Sequence, residues 1–187
     1  AIDLDPHQEV EALITKAFAL WKFEQWDRDI LGLCDLALAR DPYATTALEI
    51  KAHVYTHQGN IKDALKCVDR AIAKDDSYFH LVQLKSALLL RSNQPEIALT
   101  AVLKFFREDP ECIEAHQEAA KLALIVSNWK LALDHLKPVR EELDIGYADT
   151  ASAAIYEGQL ELASKALETA IERNDFSSIA FEQPYTA

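Results

Sequence analysis

The sequence repeats itself with a period of 34 residues. Pro42 closes the phrase Ala37-Leu38-Ala39-Arg40-Asp41-Pro42, and 68 residues later Pro110 closes Phe105-Phe106-Arg107-Glu108-Asp109-Pro110. Halfway between them lies Ala71-Ile72-Ala73-Lys74-Asp75-Asp76. Other columns keep the same spacing: Ala64, Ala98 and Ala132; Ala37, Ala71, Phe105 and Val139; Ala52, Ser86 and Ala120; Lys51 and Lys85. A period of roughly 20–50 residues marks an array of supersecondary units, none of which buries its apolar face alone. Stacked neighbours then share one continuous core. The 187 residues hold about five and a half such periods, so a short array is expected rather than one closed core.

Composition says what each unit is made of. The chain contains 29 Ala and 25 Leu but only four Gly, a balance that favours helices and disfavours tight turns. It argues against β-sandwiches, glycine-rich phosphate loops and dinucleotide-binding folds. Half the residues are hydrophobic and 27% are charged, which suits a folded chain.

The most typical unit runs Gly59-Asn60-Ile61-Lys62-Asp63-Ala64-Leu65-Lys66-Cys67-Val68-Asp69-Arg70-Ala71-Ile72. Gly158 to Ile171 repeats it, with Gly158, Ala163, Ala170 and Ile171 in matching places. This pattern at a 34-residue period resembles the tetratricopeptide repeat, over nearly the whole chain. The resemblance implies an all-α, right-handed superhelical solenoid of about five antiparallel helix pairs, forming a single domain. The expected repeats are 10–44, 45–78, 79–112, 113–143 and 144–177, with 178–187 as a tail or the start of a capping helix.

Within each pair, small residues such as Ala52, Ala64 and Ala71 stand where helices approach closely. A large side chain there would overpack, at roughly 1–3 kcal/mol. Tyr55, Leu65 and Val68 fill the space between. Asp-Pro stops the second helix because proline disfavours the α region in the residue before it, and then opens the next helix. Two phase slips are visible, one after Trp26 and one of about three residues at Ile145-Gly146. Pro138 falls inside an expected helix and should kink it or start it irregularly. Trp26 and Trp129 precede second helices, where they are expected to pack into the core.

The phrase Ala1-Ile2-Asp3-Leu4-Asp5-Pro6 has the form of a repeat's closing phrase, and the chain has no Met. Together with the leftover half period, this leads to the expectation of a piece of something longer.

Charge bounds the partners. Nineteen Lys and Arg face 31 Asp and Glu, for a net charge of −12. Nucleic-acid binding rests on neutralising phosphates, so neither nucleic acid nor an anionic membrane surface is expected. No apolar run approaches the ~18–20 residues of a membrane span. Cys34, Cys67 and Cys112 are odd in number and lack a C-x-x-C motif. They read as free thiols acting as small hydrophobes, which points to a reducing, cytoplasmic compartment.

No phosphate-loop, dinucleotide, nucleophile-elbow or H-E-x-x-H motif is present, so neither an enzyme nor a cofactor is expected. Glu49, His53 and His57 recur every four residues and share one helix face. His53 and His57 form a weak metal candidate, set against a polar stripe on an open groove. His7, His80, His116 and His135 read as ordinary helical positions.

In proteins that this chain resembles, the first helix of each pair lines a concave side that receives a peptide or a partner helix. Mapped onto this chain, the groove positions are Ile14, Phe18, Trp21 and Lys22; Glu49, His53, Thr56 and His57; Gln83, Ala87, Leu90 and Arg91; Gln117, Lys121, Leu124 and Ile125; and Ser152, Ile155 and Tyr156. Phe18, Trp21, Leu90, Leu124 and Ile125 suit an amphipathic segment. Repeats that hold the C-terminal carboxylate of heat-shock chaperones need Lys, Asn and Arg at places occupied here by Ile14, Phe18, Ile50, His80 and Leu84. None of the five matches, which excludes that carboxylate clamp. RNA-reading pentatricopeptide repeats need a basic face, which the net charge disfavours.

The expectation is a non-catalytic protein–protein interaction module, a scaffold or adaptor of a larger assembly. Its acidic outer faces would serve solubility or a basic partner. The alternatives are a chaperone-like holder of secretion or pilus components, and a structural subunit that self-associates through exposed repeat ends.

Overall fold

The computed structural model describes residues 6–23, 28–75 and 77–176. Trp26, the phrase at 1–5 and the tail 178–187 lie outside the described residues. Among the described residues the chain is all helix and turn. Its helices are α1 (Pro6–Lys22), α2 (Arg28–Arg40), α3 (Thr45–His57), α4 (Ile61–Lys74), α5 (Phe79–Arg91), α6 (Pro95–Phe105), α7 (Ile113–Ile125), α8 (Trp129–Leu143), α9 (Tyr147–Tyr156) and α10 (Leu160–Arg173). They group into two compact units, Ala1–Ser92 and Asn93–Ala187.

In the first unit, α1 and α2 bury Ala17, Ile30, Cys34 and Ala37 against Ala47, Ile50 and Val54 of α3. The other side of α3 offers Leu48 and Ala52 to Ala64, Val68 and Ala71 of α4 and to Leu81, Leu84 and Leu88 of α5. In the second unit, Ala120 and Ala123 of α7 and Ala132 and Leu136 of α8 meet Ala153, Ala154 and Ala163 of α9 and α10. The periodic columns are the buried ones. Ala64, Ala98 and Ala132 have no exposed surface, and neither have Ala52, Ser86 and Ala120. The lysine column has its own role: Lys51 pairs with Asp35, and Lys85 with Asp69 at 2.6 Å. Each pair ties a second helix to the first helix of the following pair, and the acids are themselves 34 residues apart. Cys34, Cys67 and Cys112 are free thiols. Burial pushes the Cys34 thiol up to about 12.

The hairpin turns after α3, α5, α7 and α9 are each made by one left-handed residue. The chain takes positive φ at Gly59 (+75°) after α3, Asn93 (+56°) after α5, Ser127 (+57°) after α7 and Gly158 (+72°) after α9. At Gly59 the N–H of Asn60 donates to the Tyr55 carbonyl (2.8 Å) and that of Gly59 to Thr56 (3.1 Å). Asn128 and Ser127 repeat this bonding onto Ala123 and Leu124, and Gln159 and Gly158 repeat it onto Ala154 and Ile155. These are Schellman closures, which satisfy the last carbonyls of the helix. Asn60 and Asn128 then cap the next helix through their side-chain oxygens, accepting from the N–H of Asp63 (3.4 Å) and Leu131 (3.3 Å).

The joint between α8 and α9 accounts for the three-residue slip. Asp144 and Gly146 are both left-handed, at φ +56° and +83°, and turn the chain early. A Cβ at Gly146 would stand 3.2 Å from Leu136 Cδ2. Thr150 Oγ1 donates to the Gly146 carbonyl (2.8 Å), and Arg140 reaches Thr150 Oγ1 at 2.5 Å. Arg173 of α10 holds Asp144 at 2.6 Å. Pro138 does not end α8, which continues through it to Leu143.

His116 and His135 are not ordinary helical positions. Their Nδ1 atoms lie 2.8 Å apart, and His116 Nε2 is 3.1 Å from the Pro110 carbonyl. The carbonyl can only accept, so His116 donates from Nε2 and its Nδ1 accepts from His135. The Phe106 ring covers both imidazoles, at 4.6 and 5.0 Å. Burial, then the neighbouring His116, lowers His135 to about 4, with Asp134 opposing.

Two predictions follow from these turns and this pair. Gly59→Ala meets no atom within 4 Å, so only the left-handed backbone is penalised. It should cost about 1 kcal/mol, while Ser127→Gly should gain about 0.5–1 kcal/mol; urea unfolding followed by circular dichroism checks both. For His135 the unfolded chain takes up a proton between its ordinary value and about 4 while the folded chain does not. Stability therefore falls as pH drops through that window. Discounted for partial exposure, the loss should be about 1–2 kcal/mol by pH 4.5, and His135→Gln should remove that share of the pH slope.

Candidate partner-binding surface

In the first unit, the inner helices α1, α3 and α5 carry a continuous strip of side chains. Trp21 of α1 stacks on His53 of α3, with centroids 4.7 Å apart and planes at 22°. Phe18, one turn earlier, meets Trp21 edge-on at 5.5 Å. Lys22 places its Nζ 4.4 Å from the Trp21 ring centre and 5.4 Å from that of Phe18. This cation–π geometry is favourable where the charge is partly desolvated.

Glu49 continues the strip. Its carboxylate lies 3.9 Å from His53 Nε2 and 3.5 Å from His80 Nε2 of α5. The neighbouring His53 imidazole holds the Glu49 carboxyl below its usual range against the opposing effect of burial, with His80 assisting. Tyr78 packs on His80 at 5.6 Å. Trp21 is half-buried against the core of α1–α3, whereas Phe18 is 42% exposed. Trp21 is therefore mainly a strut, and Phe18 is the aromatic that a ligand can reach. His57 and Arg91 are exposed in the last turns of α3 and α5, and Gln83 and Leu90 are half-buried.

In the second unit, α7 and α9 hold the remaining groove positions. Ile125 is 41% exposed. Gln117 is half-buried. Leu124 packs with Trp129 against the core of α7–α10. Lys121 departs from the expectation of an open position. It is buried with Glu118, their charged atoms 3.6 Å apart, because residues three apart share a helix face and both lie on the packed side of α7. Ser152 is exposed and donates to the Ala148 carbonyl at 3.0 Å. Ile155 and Tyr156 are exposed, and the Tyr156 ring stacks on Trp129 at 4.3 Å and 11°.

The structure joins Phe18, Trp21, Lys22, Glu49 and His53, and adds two residues that the sequence reading passed over, His80 and Tyr78. A signal for His80 existed. Trp21 meets His53 32 positions on, and Glu49 meets His80 31 positions on, so a groove residue's partner lies just under one period ahead. His53 is engaged by Trp21 and Glu49. Among the described residues, no three His, Cys, Asp or Glu side chains converge to hold a metal ion. No helix of the described residues is long and apolar enough to cross a membrane.

Helix pairs stacked in this order, with inner helices side by side, are the tetratricopeptide-repeat fold, and solved structures carry the same architecture. YrrB, described as a TPR protein with an unusual peptide-binding site, is 23% identical over 90% of this chain and 88% of its own, with a TM-score of 0.71. MamA is 12% identical over 97% and 100%, at 0.75. A tetratricopeptide repeat protein from Parabacteroides merdae ATCC 43184 is 16% identical over 90% and 68%, at 0.74. No protein-family profile matches the sequence, and no curated protein matches it.

Proposed function

We propose that the chain is a non-catalytic protein–protein interaction module, a scaffold or adaptor that takes a partner peptide or helix on its inner helices. The observation that carries this reading is the strip of the first unit. Phe18 remains accessible beside a Trp21–His53 stack whose geometry is held from three helices. Rigid aromatics of this kind, with Arg, dominate binding energy at interfaces. The peptide-binding site named for YrrB agrees with such a use of the fold. Affinity capture from the source cell should lose its prey with Phe18→Glu or Leu90→Glu at unchanged helicity. Unchanged capture would move the site off the inner helices.

A second reading, self-association through repeat ends, is favoured by α10. Leu160, Leu167 and Ile171 are 71%, 46% and 66% exposed and follow one another at helical spacing along its surface. On this reading light scattering should show a mass that grows with concentration, and Leu167→Lys with Ile171→Lys should return it to a monomer. A wild-type mass that does not change with concentration would exclude it.

A further inference from the structure

We propose that α10 of one chain docks on the outward face of α1 of a second copy, with Glu168 paired to Lys16 across the contact. This assignment rests on the self-association reading above and adds the surface that α10 meets.

The first unit displays the same kind of contact twice, where a second helix meets the first helix of the following pair. Cys34 of α2 packs with Ala47, Ile50 and Val54 of α3. One period on, Val68 of α4 packs with Leu81, Leu84 and Leu88 of α5. An ion pair accompanies each contact: Lys51 reaches back to Asp35, and Lys85 to Asp69. The second unit keeps the apolar part. Val102 of α6 and Leu136 of α8 continue the column of Cys34 and Val68 at 34-residue steps, and both are fully buried.

The next member of this series is α10. Gly158, Ala163 and Ala170 stand 99 residues after Gly59, Ala64 and Ala71. The two glycines are both left-handed and the four alanines are all buried. The same offset carries Ile61, Val68 and Ile72 to Leu160, Leu167 and Ile171. In α4 those three positions lie in or against the core shared with α5. In α10 they are 71%, 46% and 66% exposed. A terminal repeat ordinarily turns a polar face outward, and α10 does not. The offset also carries Asp69 to Glu168, which is exposed and accepts from Ser164 Oγ at 3.3 Å.

The complementary half lies on α1. Its Ala17 is buried like Ala52, 35 positions on. At that offset Ala12, Thr15 and Ala19 correspond to Ala47, Ile50 and Val54. The three α3 residues are buried, whereas the three on α1 are exposed. Lys16 takes the place of Lys51 and is exposed too. The acid and the lysine of the repeating pair thus recur on α10 and on α1, and among the described residues neither forms an ion pair. Size agrees with charge: large side chains on α10 face small ones on α1, as ridges fit grooves. An antiparallel α10–α10 contact would instead set Glu161, Glu168 and Glu172 of both copies along one flank, since each copy carries them on the same side of its apolar row. Docking of α10 on α1 is heterologous, so each copy offers one face of each kind to its neighbours.

Light scattering on the 187-residue chain in about 0.15 M salt tests this with two one-sided variants. Leu167→Lys with Ile171→Lys blocks α10, and Ala12→Lys with Ala19→Lys blocks α1. The wild-type mass should grow with concentration. Each variant alone should stay monomeric, and an equimolar mixture should form a 1:1 dimer, because one supplies α10 and the other α1. Separately, Glu168→Lys or Lys16→Glu should weaken association about fivefold, and the two together should restore it. This charge swap decides the matter if a blocking variant does not match wild type by circular dichroism. Association that survives in the α1 variant and is lost in the α10 variant would overturn the α1 assignment and keep self-association through α10. A mixture that dimerises while the charge reversals have no effect would overturn the Glu168–Lys16 pair. A wild-type mass independent of concentration would overturn both readings.

Discussion

Close approach between helices at alanine columns is what the rest of this structure depends on. Ala64, Ala98 and Ala132, and with them Ala52, Ser86 and Ala120, are fully buried. Each presents little more than a Cβ to a neighbouring helix. Bringing helices this close lets Leu48, Val68, Leu81 and Leu88 interdigitate on either side. Packing at this density leaves little tolerance for added methylenes. The strict period thus records a steric limit rather than a chemical motif.

The turns and joints serve that stacking. A left-handed residue after α3, α7 and α9 closes each hairpin with the same two hydrogen bonds. The residue type varies because the required conformation is only mildly unfavourable for Asn and Ser. The Lys51–Asp35 and Lys85–Asp69 pairs repeat with the period as well. As partly exposed pairs they add modest stability. On the inner face of the first unit stand aromatic and imidazole rings with Lys22 and the Glu49 carboxylate.

Some of this was readable from residues alone and some was not. The helix pairs and the buried columns were legible, because a small residue repeated every 34 positions has one economical explanation. Phe18, Trp21, Lys22, Glu49 and His53 were placed on one face, and they do meet. Lys121 was placed there too and is buried with Glu118, since helical phase alone does not say how wide the packed stripe is. His80, His116 and His135 looked ordinary because each meets a partner on a different helix. The Asp144–Gly146 joint explains why one period is short, through two left-handed residues and a close Leu136 contact.

The sequence by itself determined the all-helical class, the period and the small residues at which helices meet. These follow from composition and spacing, which act locally along the chain. The tertiary structure decided which exposed groups become neighbours: the Trp21–His53 stack, the Glu49 carboxylate between two imidazoles and the His116–His135 pair under Phe106. Apart from the Glu49–His53 step of four and the Phe106–His116 step of ten, these contacts join residues 19 to 32 positions apart. Their partners depend on the register between packed helices, and that register is set by how the alanine columns nest rather than by the contacting residues themselves.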